Sequence, residues 1–227
     1  MLSATDKIEF IQGDCLEVLK SLPDRSYDYG FTSPPYNRLR NDKYAMYTDK
    51  IDDYFQFLCA FTDELLRICK RAVFINVQKT MYNSEDVFRW CGKYASKIRQ
   101  EFIWEKSNPM PASGYNVTNA YESFFYLSDT PPKSNGTYTK NVLTTAVNGD
   151  MPPEHKAVMK QEVADYYIGT FFERGTTVLD CFGGLGTTAI ACRRHGLGCT
   201  SIELVPEYIE MAKKRLSGDV MQMTLPF

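Results

Sequence analysis

Val178-Leu179-Asp180-Cys181-Phe182-Gly183-Gly184-Leu185-Gly186-Thr187-Thr188 reads as the end of a strand, a tight turn and the start of a helix. Glycines let the backbone take positive φ and pass close to a ligand. Amides at a helix start point at that ligand. Alone, the pattern fits either a nucleotide site or a sharp strand-to-helix turn. One strand later comes Ser201-Ile202-Glu203. An acidic residue at the end of that strand can accept hydrogen bonds from both ribose hydroxyls of a bound nucleoside. Glu203 stands about twenty residues beyond the glycines, as that role requires. The pair points to an adenosine-containing ligand, and the absence of a third glycine at dinucleotide spacing argues against a nicotinamide.

Working outward, strand and helix patterns alternate. Strands are read at Ile8–Gln12, Tyr27–Thr32, Ala72–Val77, Ile98–Lys106, Tyr121–Leu127, Thr177–Asp180 and Gly198–Glu203. Helices are read at Cys15–Leu22, Asp52–Lys70, Ser84–Ser96, Val158–Phe172, Thr187–His195 and Pro206–Leu216, with Ser84 as the cap of the third and Ser217–Phe227 as a tail. Tyr54, Phe57, Phe61, Leu65 and Ile68 recur at helical spacing and read as core. Asp129–Gly149 carries turn signals at Pro131-Pro132 and Asn135-Gly136 and reads as a hairpin-like insertion. The alternation predicts an α/β fold.

A second turn follows the strand Tyr27–Thr32: Ser33-Pro34-Pro35-Tyr36-Asn37. Two prolines fix φ, remove two donors and hold the preceding residues extended. The turn therefore offers the Ser33 hydroxyl and the Ser33 and Pro34 carbonyls beside an aromatic face. That set suits a planar ring carrying an amino group; the bland reading is a structural turn before a long polar loop, residues 37–50.

Composition bounds the rest. The chain has 227 residues, 44% of them hydrophobic, enough for one domain with a full core. Its formal charge of −2 does not advertise a polyanionic partner, so any such contact needs a local patch. Seven cysteines show no C-x-x-C spacing and the chain has two histidines, so no metal site is expected and the thiols read as buried and free in a reducing cytoplasm. No signal peptide and no membrane span is read.

The two turns, in this order, resemble the β group of S-adenosylmethionine-dependent DNA amino-methyltransferases. GDCLEVLKSLPDRSYD resembles the family's opening strand and helix, FTSPPYN its catalytic turn, FIWEKSNPMP a segment facing the target base, EHKAVMKQEVADYYI a cofactor segment, and DCFGGLGTT its glycine turn. Lys156 and Cys181 stand where the family usually has proline. The resemblance covers most of residues 8–216. It implies a circularly permuted Rossmann-like methyltransferase, a mixed seven-stranded sheet with helices on both faces, forming one catalytic domain over residues 1–227 with a small target-recognition insertion at about 107–150. Related protein-glutamine and RNA methyltransferases carry a similar turn after the glycines, not before them.

The resemblance implies that Ser33, Pro34, Pro35 and Tyr36 are catalytic. It implies cofactor contacts from Asp14, Thr32, His155, Asp180, Phe182, Gly183, Gly184, Gly186, Thr187, Thr188 and Glu203. DNA would meet Asn37, Arg38, Arg40, Lys43, Lys106 and Asn108. The target is an exocyclic amino group of a flipped base, cytosine N4 before adenine N6. Ser33 Oγ and the Pro34 carbonyl would bind its protons while Tyr36 stacks on the ring. Expected partners are DNA, a second copy of the chain and a restriction endonuclease, in the cytoplasm of a bacterial or phage-infected cell. The competing readings are methylation of RNA or of a protein amide, and a cofactor-binding module without turnover.

Overall fold

The computed structural model describes residues 7–37, 50–109, 117–136, 138–147 and 158–224. In chain order the elements are β1 (Ile8–Gln12), α1 (Cys15–Ser21), β2 (Tyr27–Thr32), α2 (Tyr54–Ile68), β3 (Cys69–Val77), α3 (Ser84–Lys93), β4 (Ile98–Lys106), β5 (Tyr121–Leu127), β6 (Val142–Thr145), α4 (Gln161–Phe171), β7 (Thr177–Asp180), α5 (Thr187–His195), β8 (Gly198–Glu203) and α6 (Pro206–Thr224). The strands form one sheet in the order β1-β8-β7-β2-β3-β5-β4-β6.

Period-two alternation divides the sheet's side chains between two apolar layers. On one face Val73, Ile75, Phe125 and Leu179 pack with Leu19, Phe61, Leu65 and Trp90 of α1, α2 and α3. On the other, Phe31, Phe74, Phe102 and Phe124 pack with Val163, Tyr167 and Ile168 of α4 and with Ala189 and Cys192 of α5. Helices cover both faces, so the strands read as near-continuous apolar runs. Trp90 is fully buried and its Nε1 donates to Thr62 Oγ1 at 3.0 Å, which joins α3 to α2.

Most expected elements stand where the sequence places them; four details differ. The sheet has eight strands rather than seven. The extra strand β6 comes from the stretch read as a hairpin and pairs parallel to β4, Ile103 opposite Val142 and Lys106 opposite Thr145, so it arrives by a crossover. β5 alone runs antiparallel, to both β3 and β4. Asn83, not Ser84, precedes α3, and its side chain accepts from Thr80 N at 2.7 Å instead of capping the helix. The segment read as a tail continues α6 to Thr224. Among the described residues no helix is long and apolar enough to cross a membrane.

The topology makes the site. β7 and β2 are adjacent and parallel although 148 residues separate Thr32 from Asp180, whose side chains hydrogen-bond at 2.8 Å. From β7 the chain turns by α5 to β8 on one side; from β2 it turns by α2 to β3 on the other. The glycine turn and the proline turn thus leave neighbouring strand ends at the point where the winding reverses, the usual place for a ligand crevice in such sheets.

Candidate active site

A cavity of about 350 Å³ opens at that reversal. Its floor is the turn Phe182–Leu185 and its walls include Asp14, Cys15, Ser33–Tyr36, Ile51, Phe57, Val158, Thr187 and Glu203. The size lies at the lower end of the range typical of cofactor pockets.

The glycine turn is held by backbone bonds, Gly183 N to Ile202 O at 2.8 Å and Gly186 N to Gly183 O at 2.9 Å. Gly184 and Gly186 take φ of 48° and 76°, a region costly for residues with a Cβ. A Cβ on Gly183 would stand 2.1 Å from Ser201 Oγ. Gly186 does not line the cavity; a Cβ there would meet Ala212 of α6 at 2.9 Å, so this glycine serves the turn and the packing of α6.

Glu203 closes one side. Its Oε2 accepts from Gly184 N at 2.8 Å and its Oε1 from Val205 N at 2.9 Å. Each carboxylate oxygen has a second lone pair, so Glu203 is oriented by the backbone and can still accept two hydroxyls. Burial pushes its carboxyl above the ordinary carboxylate range, and the two amides pull it back. Asp14 caps α1, Oδ1 accepting from Leu16 N at 2.9 Å and Glu17 N at 3.2 Å, and stands exposed at the rim. Cys15 behind it is buried and its thiol is pushed up to about 12, first by burial and then by Asp14, which makes it an inert packing residue.

Asp180 sits beneath the turn, 3% exposed, where Oδ1 accepts from Thr32 Oγ1 and, at 3.0 Å, from Phe182 N. Burial raises its carboxyl, opposed by bonds from Thr188, Thr32 and Phe182. A carboxyl raised on folding contributes stability that is complete below its unfolded value of about 3.9 and is lost as pH rises through the folded value. Asp180→Asn removes that titration. Urea unfolding across a pH series should therefore show a shallower loss of stability above about pH 4 in the variant than in the wild type.

The proline turn is held from outside. Tyr54 Oη donates to the Pro35 carbonyl at 2.9 Å, and Asn83 Nδ2 donates to the Tyr36 carbonyl at 2.6 Å. Among the described residues the Pro34 carbonyl has no such donor, and Pro34 lines the cavity. Ser33 Oγ lies 2.8 Å from Tyr36 Oη and 3.1 Å from Asn76 Oδ1, and its one proton can go to either. Asn76 Nδ2 donates to Ser123 O at 3.3 Å, which fixes the amide with its oxygen toward the turn. Ser33 therefore turns its proton away and leaves lone pairs for the cavity.

The residues expected from the sequence divide accordingly. Asp14, Ser33, Pro34, Pro35, Tyr36, Asp180, Phe182, Gly183, Gly184, Thr187, Thr188 and Glu203 line one cavity. Thr32, expected at the cofactor, lies behind the wall, 1% exposed, tying β2 to β7 through Asp180. Asn37, expected at DNA, is 6% exposed at φ 49°; its Nδ2 donates to Ile51 O at 2.9 Å and its Oδ1 accepts from Ile51 N at 3.0 Å. Lys106, read as a DNA-facing cation, is instead paired with Glu122 at 2.6 Å, the two side chains 11% and 7% exposed. Asn108 is exposed and accepts from Val147 N at 2.7 Å. Arg38, Arg40, Lys43 and His155 lie outside the described residues.

Sequence reasoning assigned Phe57 to the core. It lines the cavity, its ring 5.7 Å from that of Phe182. Its helical period is that of the core stripe, so no periodic signal separates the two roles. Asn76 and Glu122, which hold Ser33 and Tyr36, were also missed; both are polar side chains buried within apolar stretches of β3 and β5, and that is the signal that marks them.

A family model described as DNA methylase, for N6- and N4-methyltransferases, matches residues 27–214. The type II methyltransferase M.HinfI of Haemophilus influenzae is 25% identical over 91% of this chain and 67% of its own length. The type II beta methyltransferase M.BslI of a Bacillus species is 26% identical over 94% of this chain and 28% of its own length, so this chain spans about a quarter of that relative. Among solved structures, the cytosine-N4-specific PvuII DNA methyltransferase aligns with a TM-score of 0.73 at 18% identity, covering 95% of this chain and 93% of the other.

Proposed function

The chain belongs to the N6/N4 DNA methylase family, and from that premise we propose that the cavity holds S-adenosylmethionine beside a flipped base whose exocyclic amino group is methylated. The observation that carries the reading is that Ser33 and Pro34 line the cavity and can offer it two acceptors, Ser33 Oγ and the Pro34 carbonyl, while the neighbouring carbonyls of Pro35 and Tyr36 are tied by Tyr54 and Asn83.

The residues present fit the cofactor. Glu203, oriented by two amides, suits the two ribose hydroxyls. Asp14 at the rim suits an adenine amino group, and Phe57, Ile51 and Phe182 provide apolar wall. The amides of the glycine turn suit the amino-acid end. When bound, the cofactor supplies an electrophilic methyl group on a sulfonium.

The protein's own work is alignment and acceptance. An exocyclic amino nitrogen has its lone pair delocalised into the ring and is a poor nucleophile. Two fixed acceptors draw its protons out of the ring plane, and both contacts strengthen as positive charge develops on nitrogen. The Tyr36 ring supplies a stacking face. Holding the base in line with the methyl group supplies much of the remaining acceleration. Extracting the base from a duplex costs a few kcal/mol, recovered from such contacts. The stretch of residues 107–150 is the proposed reader of the DNA site; Ser107 N donates to Thr145 O at 2.9 Å and Val147 N to Asn108 Oδ1.

Incubation with methyl-labelled cofactor and unmethylated DNA, RNA or protein tests the reading. Label is expected in DNA alone. Label confined to RNA or to protein would overturn it.

A further inference from the structure

The strands that follow one another in the sheet, β2, β3, β5 and β4, each carry a polar group to the same edge, beside the proline turn. After β2 come Ser33 and Tyr36; β3 brings Asn76, β5 brings Glu122 and β4 brings Lys106. Ser33 Oγ and Tyr36 Oη are 2.8 Å apart, Tyr36 Oη donates to Glu122 Oε2 at 2.9 Å, and Glu122 Oε1 meets Lys106 Nζ at 2.6 Å. Asn76 Oδ1 is within 2.5 Å of Tyr36 Oη. Tyr36 has one proton for Asn76 and Glu122, and the carboxylate is the stronger acceptor. With that proton directed to Glu122, the 2.8 Å contact runs from Ser33 Oγ as donor to Tyr36 Oη as acceptor, one of the two senses its geometry allows. A carboxylate only 7% exposed is an expensive element in a wall of aromatic residues. Lys106 pairs with one of its oxygens, and the chain of hydroxyls ends on the other.

Resting on the reading of the site given above, we propose that Ser33, Tyr36 and Glu122 form a proton exit, with Glu122 as the terminal acceptor. The amino nitrogen, once methylated, holds one proton more than the neutral product. That proton passes to Ser33 Oγ, the proton of Ser33 passes to Tyr36 Oη, and the proton of Tyr36 passes to Glu122 Oε2. One N–H and two O–H bonds break and three O–H bonds form. Ser33 and Tyr36 end as they began, the nitrogen loses its positive charge and Glu122 becomes a neutral acid. Ser33 touches the base; Tyr36 touches it through its ring; Glu122 acts through Tyr36. The charged and titratable groups facing Glu122 are Tyr36 from the turn and Lys106 from β4; Asn76 from β3 is neutral.

The test is the pH dependence of kcat/KM for DNA at saturating cofactor, in the wild type, Glu122→Gln and Tyr36→Phe. The wild type should lose activity on the acid side along a one-proton limb. Glu122→Gln should be about 100-fold slower, the scale of one positioned base, and should lack the limb. Its cofactor affinity, read by calorimetry, should be unchanged. In the protein without DNA, the carboxyl carbon resonance of Glu122, identified by its loss in Glu122→Gln, should titrate at the midpoint of the limb. A Glu122→Gln variant that keeps the limb, or runs at the wild-type rate, overturns the proposal, as does a resonance with a different midpoint. If Glu122→Gln does not fold, Tyr36→Phe decides the matter: it keeps the ring and breaks the exit, so it must lose the limb, and a limb retained overturns the proposal. A wild type that transfers no methyl group to DNA would instead end the reading of the site itself.

Discussion

Ser33→Ala is expected to slow methyl transfer in a single turnover by about 10²–10³-fold, the cost of removing one positioned polar group from a reacting centre, while cofactor affinity stays unchanged. The asymmetry follows from the hydrogen-bond count. Ser33 Oγ sends its proton to Asn76 or Tyr36, so only its lone pairs face the cavity. It makes no bond to Glu203, Asp14 or the glycine turn, which line the same cavity. Alanine deletes an acceptor that matters only as the amino nitrogen becomes tetrahedral, which is differential binding and therefore appears in kcat. Rapid-quench kinetics and calorimetry on the same preparation check both halves. A variant that turns over normally, or one that loses cofactor binding in step with turnover, would remove Ser33 from this role.

Glu203→Ala should produce the converse. Two hydroxyl bonds to a buried carboxylate are worth about 1.5–3 kcal/mol each, so loss of the side chain should weaken cofactor binding by about 100-fold or more. The rate at saturating cofactor should fall far less, because Glu203 sits on the wall away from the proline turn. The carboxylate also holds Gly184 N and Val205 N, so part of the loss is loosening of the turn itself. Glu203→Gln separates the two contributions: its amide keeps one acceptor oxygen for the backbone and gives up the charge. Because burial raises the Glu203 carboxyl, wild-type cofactor affinity should weaken as pH falls through that raised value, and the alanine variant should show no such dependence. Calorimetry across pH reads this directly.

Much of this was legible in the sequence, for identifiable reasons. The seven strands read from apolar runs all exist, because a sheet covered on both faces leaves strong signals bounded by turns. The glycine turn and Glu203 were legible because their chemistry requires particular residues at a particular spacing. The eighth strand was not: Val142-Leu143-Thr144-Thr145 is four residues long and owes its state to pairing with β4, a tertiary effect that local propensity does not carry. Residues named for DNA fared differently again. Lys106 and Asn37 have the chemistry to meet a phosphate, yet Glu122, sixteen positions away, takes one and the Ile51 backbone takes the other. Pairing across strands is set by sheet order, and the order β2-β3-β5-β4 is not written in any one segment. The same order assembles Ser33, Asn76, Tyr36 and Glu122, which no motif would have joined.

On the proposed reading, the proline turn presents acceptors to an exocyclic amino group. Mass spectrometry of nucleosides from DNA incubated with the protein and S-adenosylmethionine tests it most directly. N4-methylcytosine or N6-methyladenine is expected, formed about 10²–10³-fold more slowly when Ser33 is replaced by alanine. A base methylated at a ring carbon, such as 5-methylcytosine, or DNA with no methylated nucleoside, would contradict it.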